Sequence, residues 1–271
     1  MRSSYDIGHY ASEARHSQIR APLDGHNVGV HRTETVELLC ADAWPAVTED
    51  KVGDWRLRAA SGFTGRANSA LAVGDPGLPV AEALDRVCEF AHAHDIPPVA
   101  QAVVGSANER AIEAAGWVPK TDHAAGHLVS VLVGPLGTGA DGVSFLPEPS
   151  AAWWELAAGT TEPAPAQRHV LTTGEVGYAV AEITAGAVRA AVAGGLLHVS
   201  RLAVRPQHRR RGLARALMAA TGEWAAGRGA TECVLQVAVD NAPALALYEA
   251  LGFREHHQYR YWVPACEDRS L

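Results

Sequence analysis

The chain has 271 residues, 48% of them hydrophobic, which is enough for two ordinary domains with real cores. Its formal net charge is −7, yet from Arg168 onward 12 Lys+Arg stand against 9 Asp+Glu, which leaves the first part near −10. Such a first part argues against nucleic acid as a partner. No apolar run is long enough to span a bilayer, and no charged-then-apolar leader is present, so we expect no membrane partner. The scattered cysteines fit no disulfide framework or zinc knuckle, and we expect a reduced, soluble, cytoplasmic protein. The cysteines are Cys40, Cys88, Cys233 and Cys266.

The first half of the chain alternates between strand-like and helix-like patterns. Residues 1–30 are polar and aperiodic and predict a loosely ordered flexible tail. Thr33 or Thr35 can then cap a short helix. The pattern next predicts a strand at Trp55–Ala59, then a turn and a second strand. After these come a helix over 79–94, a strand over 96–104, a helix over 108–115 and a strand over 128–133. This order favours an α/β or α+β domain.

Glycine and proline are dense in the segments GPLGTGADG and PEPS, which predicts a domain boundary near residue 140. We therefore predict one domain over residues 31–140 and a second over residues 141–271. In the second domain WWELA opens a short helix and EPAPAQ forms a loop. Strands follow over 175–183, 187–192 and 196–204, and a further strand over 231–239, apolar on both faces, is predicted to be central.

The stretch of residues 196–214 organises the second domain. Its first part is strand-like, and from Gly212 onward apolar residues recur at helical spacing. The short turn between them carries three arginines, Arg209, Arg210 and Arg211. A strand that feeds a helix through such a turn presents free backbone N–H groups and the positive end of the helix dipole. The turn is therefore a candidate phosphate site.

Two signatures in residues 196–263 resemble those of the GNAT superfamily of acyl-CoA N-acyltransferases. The acyl-CoA loop of that family, Q/R-x-x-G-x-G/A, is matched by Arg209, Gly212 and Ala214. The second signature, an asparagine followed by a helix with L-Y-x-x-x-G-F, is matched from Asn241 through Tyr248. The resemblance implies a mixed, mostly antiparallel sheet flanked by helices, and acetyl-CoA as the acyl donor.

The resemblance also implies which residues bind the donor. The backbone from Arg209 to Ala214, including Leu213, corresponds to the pyrophosphate cradle. Asn241 corresponds to a residue that hydrogen-bonds the pantetheine, and Tyr248 to one beside the thioester sulfur. The backbone groups expected to pair with the pantetheine belong to Leu202, Ala203 and Val204.

Two residues are candidates for proton transfer. Tyr248 is suited to protonate the departing thiolate, and the alternative is a tyrosine that only packs on the donor. His198 lies where some family members carry a basic glutamate, and the alternative is a half-buried strand histidine. Glu182 is a reserve candidate. Gln236 stands where the branch that acetylates protein N-termini has a glutamate, and an amide cannot act as a base.

The first half resembles a GNAT domain only weakly. ANERAIEAAGWVP echoes the second signature without its tyrosine, and no acyl-CoA loop precedes a helix there. The layout resembles actinobacterial-type tandem GNAT proteins in which one half is degenerate. We predict a catalytically inactive first half and an N-acetyltransferase acting on a primary amine of a small molecule or peptide. The alternatives are a module that binds acyl-CoA without turnover, an inactive interaction protein, and a tandem enzyme similar to mycothiol synthase. The acidic balance of the first half is compatible with a cationic amine.

Several histidines are not expected to form a metal site. His123 and His127 are four residues apart, but the intervening Gly126 favours a loop and no zinc-protease glutamate follows His123. His256 and His257 are adjacent and, on a regular strand, face opposite sides. We predict no metal, and we expect a monomer or homodimer.

Overall fold

A computed structural model describes residues 32–121, 126–139, 141–182 and 184–265. The predicted tail of residues 1–30, together with His123 and Cys266, lies outside the described residues. No helix in the part of the chain that the structure describes is long and apolar enough to cross a membrane.

The first half contains three helices and six strands among the described residues. In chain order they are α1 (Thr33–Asp42), β1 (Thr48–Val52), β2 (Trp55–Ala59), β3 (Ala70–Leu71), α2 (Val80–Ala93), β4 (Ala100–Val103), α3 (Ala107–Ala114), β5 (Trp117–Pro119) and β6 (Leu128–Gly134). A 3₁₀ turn, Gly65–Ala67, precedes β3. The predicted amphipathic helix is confirmed as α2, whose buried face includes Ala83, Leu84 and Val87 because these residues recur at three- and four-residue spacing.

The second half continues with β7 (Val143–Leu146), α4 (Ala151–Ala158), α5 (Pro165–Thr172), β8 (Glu175–Ala181), β9 (Gly186–Ala193), β10 (Leu196–Val204), α6 (Leu213–Ala226), β11 (Glu232–Ala238), α7 (Ala242–Glu249) and β12 (Arg254–Pro264). The predicted strand over 196–204 matches β10 at both ends. The loop predicted for EPAPAQ is wrong, because α5 begins inside it at Pro165. Proline is favoured in the first turn of a helix, where its missing N–H has no intrahelical partner to lose.

One mixed sheet runs through the described chain in the order β1-β2-β3-β4-β12-β6-β11-β10-β9-β8-β7, and β5 pairs with β12 off this path. The neighbours β3/β4 and β10/β11 are parallel, and the other pairs are antiparallel. This confirms the expected mixed, mostly antiparallel sheet flanked by helices.

Strands from the two halves alternate at the centre of the sheet. β6, from the first half, lies between β11 and β12 of the second half, and β12 in turn pairs with β4 of the first half. The backbone hydrogen bonds of the sheet therefore continue across the predicted boundary near residue 140. This interleaving brings first-half residues beside the strands that carry the two signatures.

The two adjacent histidines of β12 do not face opposite sides. The register of β12 against β6 shifts between Glu255 and His257, and the Nδ1 atoms of His256 and His257 are 2.8 Å apart. The expectation from a regular strand is wrong here because a bulge removes the two-residue alternation. The Nε2 atom of His257 also lies 2.9 Å from Oε1 of buried Glu37, which ties β12 to α1.

Candidate active site

The site begins where two parallel strands separate. β10 and β11 pair from Leu196 with Glu232 as far as Val199 with Leu235, and no further. Beyond this point β10 carries a bulge against β9, at which Arg201 adopts a positive φ of 55°. The backbone of β10 that follows the bulge is therefore not paired with β11.

A groove of about 940 Å³ starts at this opening and runs to the start of α6. It is lined by residues from β10, the arginine turn, α6 and α7. They include Leu202, Ala203, Val204, His208, Arg209, Arg210, Gly212, Leu213, Ala214, Asn241 and Tyr248. The structure thus places nearly all the predicted donor-binding residues along one continuous surface.

The turn before α6 has the backbone of an anion cradle. Gly212 is the N-cap of α6 with φ 83°, and Arg210 has φ 62°. Left-handed residues near a helix start direct successive N–H groups toward one side, and the first N–H groups of α6 have no intrahelical acceptor. A glycine is required at Gly212 by its φ rather than by crowding, since an added Cβ would meet nothing within 4 Å.

The three arginines of the turn make different contacts. The Nε of Arg209 donates to the carbonyl of Val204 at 3.2 Å, which holds the turn against the end of β10. Arg210 lines the groove. Arg211 instead forms an ion pair with Glu182 at 2.8 Å and is not among the described residues that line the groove. The same contact places the reserve base candidate Glu182 at the arginine turn, away from the separated strands.

Asn241 and Tyr248 lie on α7, opposite the free edge of β10. The side chain of Asn241 caps α7 by accepting a hydrogen bond from the N–H of Ala244 at 3.3 Å. This hydrogen bond caps the helix and fixes the position of the asparagine. Tyr248 is 8% exposed, and burial, with a smaller effect of Cys233, raises its pKa to about 12. Its phenol therefore stays protonated at any physiological pH.

A second cavity, of about 740 Å³, meets the groove at the separated strands. The two share Leu202, Asn241, Pro243, Ala244 and Tyr248 as lining residues. The far wall comes partly from the first half and from β12. These far-wall residues include Thr64, Gly65, Arg66, Tyr259 and Tyr261. We call this space the distal cavity.

Two arginines that line the distal cavity lie against a buried indole that is not among its described lining residues. The guanidinium carbons of Arg66 and Arg201 lie 4.7 and 5.5 Å from the ring centre of buried Trp44. Arg66 also donates to Oε1 of Gln236 at 2.5 Å. Gln236, the residue predicted to replace a catalytic glutamate, thus holds an arginine in place.

His198 lies behind this wall. It is 1% exposed, its ring is edge-on to Trp44 with centroids 6.2 Å apart, and it is not among the described residues lining either cavity. Burial, reinforced by the charges of Arg66 and Arg189, lowers its pKa well below the usual value, although the amide of Gln236 partly opposes this. The imidazole is therefore neutral at neutral pH, but it needs an intermediary to reach either cavity.

Sequence reasoning missed the arginine wall. Trp44 lies in a segment without a motif, and Arg66 lies in the segment WRLRAASGFTGRANSAL, which resembles tandem GNAT proteins but does not indicate a role for the arginine. Only the fold brings the two residues to β10. Arg201 could have been noticed, because it is a charged residue inside the strand that enters the acyl-CoA loop.

The architecture is similar to that of solved GNAT structures. A GCN5-related N-acetyltransferase from Kribbella flavida superposes with a TM-score of 0.62 at 16% identity, covering 86% of this chain and 96% of that one. A tandem GNAT protein from the clavulanic acid biosynthesis pathway gives a TM-score of 0.54 at 18% identity, covering 84% and 86%. These similarities show the fold.

The fold and the paired signatures define a GNAT acyltransferase. Within that class, the chain belongs to the family described as "Probable histone acetyltransferase Rv0428c C-terminal", which it matches over residues 32–262. The resemblance to GNAT acyltransferases drawn from the sequence is thereby confirmed.

Closer sequence similarity is confined to short segments. Mycothiol acetyltransferase of Clavibacter michiganensis is 48% identical over 64 residues, which cover 24% of this chain and 21% of that protein. The ribosomal protein bS18-alanine N-acetyltransferase of Escherichia coli is 40% identical over 69 residues, covering 26% and 47%. The matched segments thus span less than half of each relative, and the acceptors in those names belong to those proteins.

Proposed function

We propose that the protein transfers the acetyl group of acetyl-CoA to a primary amine by direct attack. The observation that carries this proposal is the junction of the two cavities at the separated strands. A groove ending in an anion cradle fits a long phosphorylated donor, and the distal cavity gives an acceptor access to the other end. Asn241 and Tyr248 border both spaces.

The donor would lie along the groove with its phosphates at the arginine turn. Backbone N–H groups from Arg209 to Ala214, and the charge of Arg210, would hold the pyrophosphate. The free edge of β10 at residues 202–204 would pair with the pantetheine amides as an added strand does. This orientation directs the thioester toward Tyr248 and the distal cavity.

The transfer itself needs few groups. The uncharged amine attacks the thioester carbonyl carbon to form the C–N bond, the C–S bond breaks, and the amine nitrogen gives up a proton. The products are an N-acetylated acceptor and free CoA thiol. We infer that the Tyr248 hydroxyl donates the proton that the departing sulfur takes, because its raised pKa keeps it protonated and it lies where the two cavities meet.

His198 and water are the two candidates for the base. Buried His198 reaches the distal cavity only through an intermediary such as a water molecule. Direct proton loss to water from the attacking amine is the alternative. Gln236 has no basic group, and Glu182 is paired with Arg211, so neither is proposed.

The first half is proposed to shape the acceptor site without carrying out chemistry of its own. Its 3₁₀ turn supplies Gly65 and Arg66 to the wall of the distal cavity. The predicted division into residues 31–140 and 141–271 stays a prediction. In this view the first half could not be removed without opening the acceptor site.

Thiol release tests the proposal. The full chain mixed with acetyl-CoA and a panel of amines should release CoA thiol in step with formation of the N-acetyl product, observed by mass spectrometry. An acyl-CoA-binding module without turnover would bind acetyl-CoA, measured by calorimetry, and release no thiol above the hydrolysis rate with any amine.

A further inference from the structure

The distal cavity carries an excess of positive charge. Three guanidinium groups surround Trp44: those of Arg66, Arg189 and Arg201, whose central carbons lie 4.7, 5.1 and 5.5 Å from the ring centre. Arg66 and Arg201 line the cavity, whereas Arg189 is fully buried behind it. Stacking on an indole orients a guanidinium without neutralising it.

None of these three guanidinium groups contacts a carboxylate of the described residues. Arg189 donates to the carbonyls of Leu171 and Ala43, both at 2.9 Å. Arg66 donates to a neutral amide, and the Nε of Arg201 is buried without a hydrogen-bond partner in the part of the chain described. None of the three arginines forms an ion pair with a described acidic residue.

Arg201 nevertheless remains charged. Burial, and next the charge of Arg66, lower the pKa of Arg201 to about 10, so its guanidinium is a cation at neutral pH. Asp240 is the acidic residue among the described lining residues, and it lies on an exposed turn beside Gly126. Among the described residues it forms no ion pair with the arginines. Two partly desolvated cations on one wall without a counter-ion are costly unless a ligand supplies the anion.

We propose that the acceptor is an amine that also carries an anionic group, a carboxylate or a phosphate, which Arg66 and Arg201 bind in the distal cavity. This inference rests on the proposed acetyl transfer to an amine. It replaces the expectation of a cationic acceptor that the acidic first half suggested. The local field of the wall outweighs the net charge of the surrounding chain because that charge is more distant and screened.

Matched acceptors test the proposal on the unaltered protein. β-Alanine is compared with β-alaninamide, and O-phosphoethanolamine with ethanolamine, with kcat/KM expressed per uncharged amine. We expect the anionic member of at least one pair to be favoured by roughly ten-fold or more, the size of one charge-assisted contact. The pair that shows the preference distinguishes a carboxylate from a phosphate. Equal kcat/KM within both pairs, or a lysine-rich peptide as the best acceptor, would overturn the inference while leaving acetyl transfer intact.

Substitution of the two lining arginines tests whether they cause the preference for an anionic acceptor. Arg201→Gln and Arg66→Gln should each bring the anionic-to-neutral ratio toward one. Arg168→Gln is the matched control, because Arg168 also stacks on an indole, 5.5 Å from the centre of Trp154, but lies outside the described lining of the distal cavity. A ratio that survives in Arg201→Gln and Arg66→Gln contradicts the assignment.

A binding measurement separates the two proposals. With saturating CoA filling the arginine turn, propionate should raise the Tm of the wild-type protein and of Arg168→Gln, but not that of Arg201→Gln. If this stabilisation occurs while no amine is acetylated, the anion site stands and the proposed reaction fails. Absence of stabilisation by propionate and by inorganic phosphate in the wild type would contradict the anion site itself.

Discussion

Two strand-to-helix turns of the same sheet differ in charge and in what occupies their backbone groups. The turn from β10 to α6 carries arginines, and no side chain of the described residues caps the helix that follows it. Asp75 lies in the turn from β3 to α2, and Asp54 lies beside this turn. Asp54 accepts a hydrogen bond from the N–H of Asp75, and Asp75 accepts one from the N–H of Gly77, both at 2.8 Å. Aspartate oxygens thus bind N–H groups of the loop that precedes α2, and their charge repels an anion.

The asparagines of the two halves differ in the same way. Asn241 lies at the start of α7 beside an open groove, whereas Asn108 on α3 donates to the carbonyls of Ala72 and Gly74 at 3.1 and 2.9 Å. The N–H of Ala72 also bonds the carbonyl of Gln101, so β3 stays paired where β10 is free. A GNAT-like strand order therefore provides a donor site where the strand is unpaired and the turn carries positive charge, as at β10 and not at β3.

The largest effect is expected from a charge placed in the arginine turn. Gly212→Glu should weaken CoA binding by at least about 100-fold in calorimetry, since a carboxylate would repel the pyrophosphate and several charge-assisted contacts would be lost. Gly77→Glu is the control, because Gly77 has a similar φ of 73° and open space. Equal losses in both variants would mean that backbone strain, and not the site, decides.

Removal of the Tyr248 hydroxyl tests its proposed role as the acid that protonates the departing sulfur. Tyr248→Phe should lower kcat by roughly 10²-fold or more, the usual contribution of a positioned acid, with CoA affinity changed less than about three-fold. Tyr178→Phe removes the hydroxyl of another buried tyrosine and should leave kcat near the wild-type value. Because the Tyr248 pKa is raised to about 12, kcat of the wild type should show no alkaline loss below about pH 10. Unchanged kcat in Tyr248→Phe removes the proposed acid role.

The corresponding asparagines of the two halves, Asn241 and Asn108, test whether only the second half binds the donor. Asn241→Ala should raise KM for acetyl-CoA and lower the free energy of unfolding by about 1 kcal/mol through loss of the cap. Asn108→Ala should lower the free energy of unfolding by about 1–3 kcal/mol, because two carbonyls lose their donor, without changing KM. Urea unfolding and steady-state kinetics on both variants give the answer. A raised KM in Asn108→Ala would indicate that the first half also binds the donor.

The smallest effect concerns His198. Its folded pKa lies below that of the unfolded chain, so the unfolded state binds an extra proton as the pH falls below about 6.5. The free energy of unfolding should therefore fall with decreasing pH by up to about 1.4 kcal/mol per unit from this residue. Relative to the wild type, His198→Gln should reduce this slope between pH 7.5 and 5.5, whereas His92→Gln, at an exposed position, should not. If the free energy of unfolding had the same pH slope in all three proteins, His198 would bind protons equally in the folded and unfolded states, which contradicts the prediction.

Local patterns predicted the donor side of the molecule because its determinants are contiguous. The arginine turn, the cap at Asn241 and the position of Tyr248 follow from residues close in sequence. The acceptor side could not be predicted from the sequence, because Trp44, Arg66 and Gln236 come together only through the interleaving of β6 and β12. The bulge at His257 was missed for a related reason, since no residue type in that segment marks a change of register.

In this interpretation only the arginine turn of the second half forms a donor site. The stoichiometry of CoA binding tests this directly. Calorimetry on the full chain should give one CoA per chain, and amide hydrogen exchange with CoA should show protection at residues 202–215. Two equivalents of CoA, or protection at residues 73–80 of the first half, would contradict the account.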